Sequence, residues 1–221
     1  EKIVLGAFVR GLQAHRETEV KSEGRFILMQ ADAEAAYNAE KWAIAGTIGR
    51  QEIRSGLNSE GRLFSRRHYA LYRPSDNWSV RAGKFLRSFG LNDPNHNAYV
   101  RRELNFGFDT ETYNLELAFL GETWTSYLTY IDGGLVGDKY VPLKEKGAAW
   151  SLSYFFLEKE KVGLSVYRGE DDSNKRWIAG PWWILSFPPK FFLLSEIDFQ
   201  ERTVKATGKT QRGYVATHRL G

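Results

Sequence analysis

The sequence predicts an all-β chain, an antiparallel up-and-down transmembrane β-barrel of about twelve strands. Three observations carry this. Apolar and polar residues alternate with a period of two through most of the chain, which puts them on opposite faces of a strand. The clearest case is Tyr113, Leu115, Leu117 and Phe119 set against Asn114, Glu116 and Ala118. Connections between the strands alternate between tight and long. No apolar run approaches the ~18 residues a membrane-spanning helix needs, a test that strands escape because half their side chains are hidden from lipid.

In chain order, the first strand covers about 2–13, with Ile3, Leu5, Ala7 and Val9 on one face, and a polar loop follows over 15–24. The second has Ile27, Met29, Ala31, Ala33, Ala35 and Tyr37 against Leu28, Gln30, Asp32 and Glu34. After the tight link Asn38-Ala39-Glu40, the third carries Trp42, Ile44, Gly46 and Ile48. Residues 54–62 read as a loop, and the fourth strand covers about 63–73 before the turn Pro74-Ser75-Asp76. The fifth presents Trp78, Val80 and Ala82. A polar loop over 91–98 follows, containing Asp93-Pro94-Asn95-His96.

The sixth strand reads as long, about 100–120, although Leu104, Phe106 and Phe108 have one parity and Tyr113, Leu115 and Leu117 the other. A bulge near 109–112 reconciles them; a separate turn there is the competing reading. After Gly121-Glu122 the seventh places Trp124, Ser126, Leu128 and Tyr130 opposite Thr125, Tyr127 and Thr129. A loop over 132–146 leads to the eighth (Trp150, Leu152, Tyr154, Phe156), a turn over 158–161, and the ninth (Val162, Leu164, Val166). The tenth, about 176–186, is apolar on both faces and contains Pro181, which lacks a ladder donor. Pro188-Pro189 turns into the eleventh (Phe191, Leu193, Ser195, Ile197, Phe199), and the twelfth starts near Gly213 after a loop over 203–212.

Tight links thus follow the even-numbered strands and long polar loops the odd-numbered ones. A soluble sandwich has no reason to sort its connections this way; a membrane barrel has short turns on one side and long loops on the other. Aromatics flank the tight turns: Tyr37, Trp42, Tyr72, Trp78, Trp124, Phe156, Phe187 and Phe191. That is where an interfacial girdle belongs.

The 221 residues read as one barrel domain, 1–221. Net charge is +4, with 31 Lys+Arg and 27 Asp+Glu interspersed. A nucleic-acid protein concentrates its basic residues, so nucleic acid is not an expected partner. With no Cys, disulfides and thiolate chemistry are out, which fits an exported bacterial protein. The start, Glu1-Lys2 without Met, reads as processed or trimmed.

As a pattern, the whole chain resembles Gram-negative outer-membrane β-barrels of the porin-like type. The sharpest local echo is Arg81-Ala82-Gly83-Lys84-Phe85 followed by Phe89-Gly90-Leu91 and His96. The resemblance implies residence in the bacterial outer membrane and contact with its lipid and lipopolysaccharide. It also implies passive passage of small polar or charged solutes, with no cofactor. One departure stands out: such barrels commonly end in an aromatic that serves as an assembly signal, whereas this chain ends His218-Arg219-Leu220-Gly221.

If the apolar parity faces lipid, the other parity faces the lumen. The expected lumen-lining residues are Arg10, Gln30, Asp32, Glu34, Arg81, Arg87, Arg101, Glu116, Glu196 and Asp198; Arg66, His68 and Glu103 are placed less firmly. Charges of both signs tune a polar passage. The competing reading is a closed lumen in which Arg–carboxylate networks form a polar core, as in a scaffold barrel with a protein partner in a membrane complex. Arg87, Arg101 and Arg102 near the fifth loop suggest a basic constriction or a solvated rim.

No enzyme activity is expected. None of the four His (His15, His68, His96, His218) has metal-ligand spacing or lies in a motif with a nucleophilic Ser. The weaker alternative is a membrane-embedded hydrolase, with His96 as its best single candidate. Asp93 and Asp109 suggest Ca²⁺ ligands, but Asp-Pro-Asn is first a turn signal. No metal site is expected.

Overall fold

A computed structural model describes residues 2–17, 22–55, 58–91, 104, 106, 110–133, 145–157, 160–187 and 191–221. Twelve strands follow one another: β1 (Lys2–Glu17), β2 (Ser22–Asn38), β3 (Trp42–Ser55), β4 (Asn58–Tyr72), β5 (Trp78–Phe85) and β6 (Thr112–Leu120). Then come β7 (Trp124–Gly133), β8 (Lys146–Phe155), β9 (Lys161–Glu170), β10 (Asn174–Phe187), β11 (Phe191–Val204) and β12 (Thr210–Leu220). They form one sheet in chain order, β1 to β12, so every connection joins neighbours. The chain divides into two compact units, Glu1–Ala70 and Leu71–Gly221.

In the first unit β1 and β2 form a long antiparallel ribbon from Lys2↔Asn38 to Glu17↔Ser22, with a register shift between Arg10 and Gly11. Strand β3 pairs with β2 from Asn38↔Ala43 to Gln30↔Gln51. The apolar parity points outward: Ile3, Leu5, Ile44 and Ile48 are among its most exposed side chains. The opposite parity buries Asp32 and Thr47.

The second unit shows the same inversion more fully. On β6, Leu115 and Leu117 are 50 % and 42 % exposed, while Asn114, Glu116 and Ala118 are buried. On β7, Leu128 and Tyr130 face out, while Thr125 and Thr129 are buried. Water would penalise this arrangement, because apolar area belongs out of water and buried polar groups need partners. A hydrocarbon surround reverses the preference, which is why membrane strands read apolar-out and polar-in. Strands β6–β9 are 9 or 10 residues long, close to the ~9–11 that a tilted strand needs to cross a bilayer. The expected girdle is present: Trp42, Trp78, Trp124, Phe156, Phe187 and Phe191 are all exposed beside the turns that follow the even-numbered strands.

Three expectations change. The link between β5 and β6 is residues 86–111, so β6 starts at Thr112 and not near 100. The parity conflict between Leu104/Phe106 and Tyr113/Leu115 marks no bulge. The two stretches lie in different structures, and Leu104 and Phe106 are fully buried outside the sheet. Long links at the loop end are also fewer than the pattern implied. Only 86–111 and 134–145 are long; β1–β2, β3–β4, β9–β10 and β11–β12 join across short links, because their strands run on through residues whose polarity suggested loops. Pro181 does lie inside β10, as expected. It lies opposite Leu164 of β9, while the ladder to β11 passes from Ala179↔Phe199 to Trp182↔Glu196 without Gly180 or Pro181. The missing donor falls where the ladder is interrupted.

The core of the second unit lies on the inner face of its sheet. Phe89, Leu104 and Phe106, all from the β5–β6 link, pack on Ile131 of β7, Ala149 of β8, Tyr167 of β9 and Ile178 of β10, with Val215 of β12 at the edge. These residues of the link therefore pack on the inner face of the sheet.

Candidate functional site

The site is this inner face together with the described residues of the link that pack on it. Phe89-Gly90-Leu91 latches the link to two strands. The Gly90 N–H donates to Ser165 Oγ of β9 at 2.9 Å, and the Leu91 N–H donates to Glu196 Oε2 of β11 at 3.3 Å. Gly90 has φ +59°, and a Cβ there would overlap the Glu196 carboxylate, so the turn requires glycine twice over. Ser165 also bonds Ser151 Oγ at 2.9 Å and accepts from Trp182 Nε1 at 3.3 Å.

Phe106 is the second anchor. Its ring meets Phe89 (centroids 4.9 Å apart) and Tyr167 (5.0 Å) edge-to-face. Two guanidiniums approach the same ring, Arg87 at 4.4 Å and Arg176 at 5.2 Å. Arg87 is fully buried and donates to the Thr110 carbonyl at 3.2 Å. Arg176 forms a buried fork with Glu145 (Nη2–Oε2 2.5 Å, Nε–Oε1 3.1 Å) and donates from Nη1 to the Leu104 carbonyl at 2.6 Å. Paired geometry of this kind is what lets charges stay inside a low-dielectric interior.

Nearer the tight-turn end, Arg81 Nη2 bonds Glu116 Oε1 at 2.7 Å, and Thr129 Oγ1 donates to Glu116 Oε2 at 2.9 Å. The Arg81 guanidinium lies 3.8 Å from the centroid of Phe85. This pair lines a cavity of about 410 Å³, together with Phe89, Tyr127, Lys161 and Trp182. Fixed charges of both signs, aromatic walls and small hydroxyls surround a space large enough for a small polar molecule.

Of the residues singled out in the sequence, Arg81, Arg87, Glu116, Glu196 and Asp198 come together here; Glu116, Glu196, Asp198 and Arg87 are buried. Asp32 and Glu34 lie in the first unit. Asp32 is buried against Arg66 (3.3 Å) and accepts from Gln30, in space left open by the absent side chain of Gly49. Glu34 pairs with Arg67 at 2.6 Å, and Arg67 also donates to Thr47 at 3.0 Å. Arg10 stacks at 5.3 Å over Phe8. Arg101, with Arg102, Glu103, Asp93, His96 and Asp109, lies outside the described residues. Sequence reasoning missed Arg176, Glu145 and Tyr167. Arg176 shares inward parity with Ile178 on β10, a polar entry on a strand that otherwise reads as apolar; Glu145 gives no periodic signal, because it precedes β8.

No protein-family model and no curated protein matches the chain. Among solved structures it is similar to OmpT of Vibrio cholerae, an outer membrane protein, in a form lacking loop L8. The TM-score is 0.50 at 10 % identity, covering 99 % of this chain and 87 % of that one. The fold is that of an outer-membrane β-barrel. That places the chain in the bacterial outer membrane, with its exposed Leu, Ile and Trp side chains against lipid.

The expectation that the chain is not an enzyme is corrected. At 10 % identity the likeness carries the fold alone, and this fold gives no ground for excluding catalysis. Two of the His do meet a Ser in space: His218 Nδ1 lies 2.9 Å from Ser195 Oγ, and His68 Nδ1 lies 2.7 Å from Ser65 Oγ. Ser195 and His218 are cross-strand partners of β11 and β12, a proximity that sequence spacing hides.

Proposed function

We propose that this outer-membrane barrel passes small polar or charged solutes, and that the β5–β6 link sets the width and charge of the passage. The observation that carries this reading is the link itself. Its described residues Phe89, Gly90, Leu104 and Phe106 pack on the inner face, and Phe89 and Gly90 line a cavity walled by Arg81 and Glu116. The proposed lining is Arg81 and Glu116, with Lys161 at the cavity wall; Arg87, Glu196 and Asp198 are buried on the same inner face. Cation and anion stand side by side, so small zwitterions and weakly charged solutes suit it better than strong anions or cations.

The test is single-channel conductance of refolded protein in a planar bilayer. Discrete steps whose ion selectivity shifts towards cations on Arg81→Glu support the reading. A heat-modifiable, inserted barrel that stays silent removes it.

A second reading, a membrane-embedded hydrolase, is favoured by the Ser195–His218 pair. Covalent labelling of Ser195 by a serine-directed phosphonate, lost in His218→Ala, supports it. Absence of labelling in the folded protein counts against it.

A further inference from the structure

We infer that the cavity beside Arg81 and Glu116 takes a small aromatic monocarboxylate, with Lys161 as the group that recognises its carboxylate. As a statement of what passes, this rests on the passage proposed above. Three charged side chains line the cavity: Arg81, Glu116 and Lys161. The first two neutralise each other at 2.7 Å, and the second Glu116 oxygen accepts from Thr129 at 2.9 Å. Lys161 has no ion-pair partner among the described residues. The mixed signs therefore do not cancel, and the cavity carries one cation in excess. A half-buried cation without a counter-ion favours an anion beside it.

Cross-strand register places that cation. On the inward face Lys161 stands opposite Phe155, Gly163 opposite Ser153 and Ser165 opposite Ser151. Each level is about 7 Å further along the strands from the tight-turn end. Trp182 faces Gly163, whose missing Cβ leaves room for the indole. The Lys161 ammonium lies 4.6 Å from the Phe155 ring centroid and 5.3 Å from that of Trp182. Ring faces attract a cation through their quadrupole and leave its N–H donors for another acceptor. A second donor comes from the hydroxyls. Ser165 Oγ accepts from the Gly90 N–H and from Trp182 Nε1. Both of its lone pairs are then engaged, so its own proton goes to Ser151 Oγ at 2.9 Å. The Ser151 proton is left over, on a buried side chain that lines the cavity. The cavity thus offers an ammonium at one level and a hydroxyl donor two levels away, with Phe89, Tyr127 and Trp182 as aromatic walls. These groups match a flat molecule with a carboxylate at one end and a hydroxyl or carbonyl oxygen at the other.

The experiment is a tryptophan-fluorescence titration of the refolded full chain in zwitterionic detergent. The ligand is para-hydroxybenzoate, and its neutral amide, para-hydroxybenzamide, is the control. Lys161→Met, which keeps the stem and loses the charge, is compared with Lys209→Met, which loses equal charge in the exposed turn between β11 and β12. Expected is a saturable change with the carboxylate and none with the amide, with affinity weakened about tenfold or more in Lys161→Met and unchanged in Lys209→Met. An equal response to the amide, unchanged affinity in Lys161→Met, equal weakening in both variants, or no saturable response overturns the site. Lys161→Gln gives the same reading if Lys161→Met does not refold. Conductance recorded on the same protein separates the two proposals. A chain that binds the carboxylate but stays silent keeps the site and removes the passage; one that conducts without binding removes the site alone.

Discussion

Replacing Phe106 with Ala tests whether the β5–β6 link is anchored as the geometry requires. Phe106 is fully buried and belongs to no strand, so its removal leaves every ladder bond in place. A buried Phe→Ala change costs about 3–5 kcal/mol. Two edge-to-face ring contacts, at 4.9 and 5.0 Å, and two guanidinium contacts disappear with it. The ring contacts contribute about 0.5–1.5 kcal/mol each within that total. Because the sheet is untouched, the loss falls on the docking of the link. A working figure of about 3–4 kcal/mol makes local opening about 10²–10³-fold more frequent. The readout is hydrogen exchange at the Gly90 and Leu91 amides, which are sealed by Ser165 and Glu196 and exchange when the link lifts. Expected is a rise of about 10²–10³-fold there, with β7–β10 protected as before. Unchanged protection at Gly90 and Leu91 refutes the anchoring. So does an equal rise through all strands, which would make Phe106 a determinant of global stability instead.

Three further outcomes follow from the same geometry. Gly90→Ala forces a side chain into left-handed backbone and into the Glu196 carboxylate, so protection of the link falls by about 1 kcal/mol or more; proteolysis between β5 and β6 measures it. Glu145→Ala leaves Arg176 buried without its carboxylate and costs about 3–5 kcal/mol in urea-induced unfolding. Adding Arg176→Met restores most of that, and failure of the rescue means the pair is not what Glu145 contributes. Asp171, in the turn between β9 and β10, answers to pH. Burial alone would raise its carboxyl, but the backbone N–H groups of Ser173 and Asn174, both at 2.7 Å, outweigh burial and hold it below its ordinary value. A carboxyl held low stabilises the fold above its unfolded value of about 3.9, and that contribution is lost as pH falls through the lower folded value. Asp171→Asn therefore flattens the acid side of the stability curve and leaves the curve near pH 7 parallel to the wild type. An unchanged acid limb sinks the assignment.

The sequence by itself determined the number of strands, their order and which parity faces outward. Leu115, Leu117, Leu128 and Tyr130 announce the lipid side through alternation alone, because period two is a local property of extended backbone and needs no partner to be read. The exposed aromatics beside the tight turns were legible for the same reason. The tertiary structure decided what the inner face holds. Leu104 and Phe106 carry the alternation of a strand yet pack across one, because burial against Ile131, Tyr167 and Ile178 rewards an apolar residue whether or not its backbone joins a ladder. Arg176 met Glu145, and Ser195 met His218, through contacts between segments distant in sequence or across a strand pair. Which charges pair, and which hydroxyl lies beside which imidazole, depends on register and on the path of a link. Neither leaves a periodic trace in the chain.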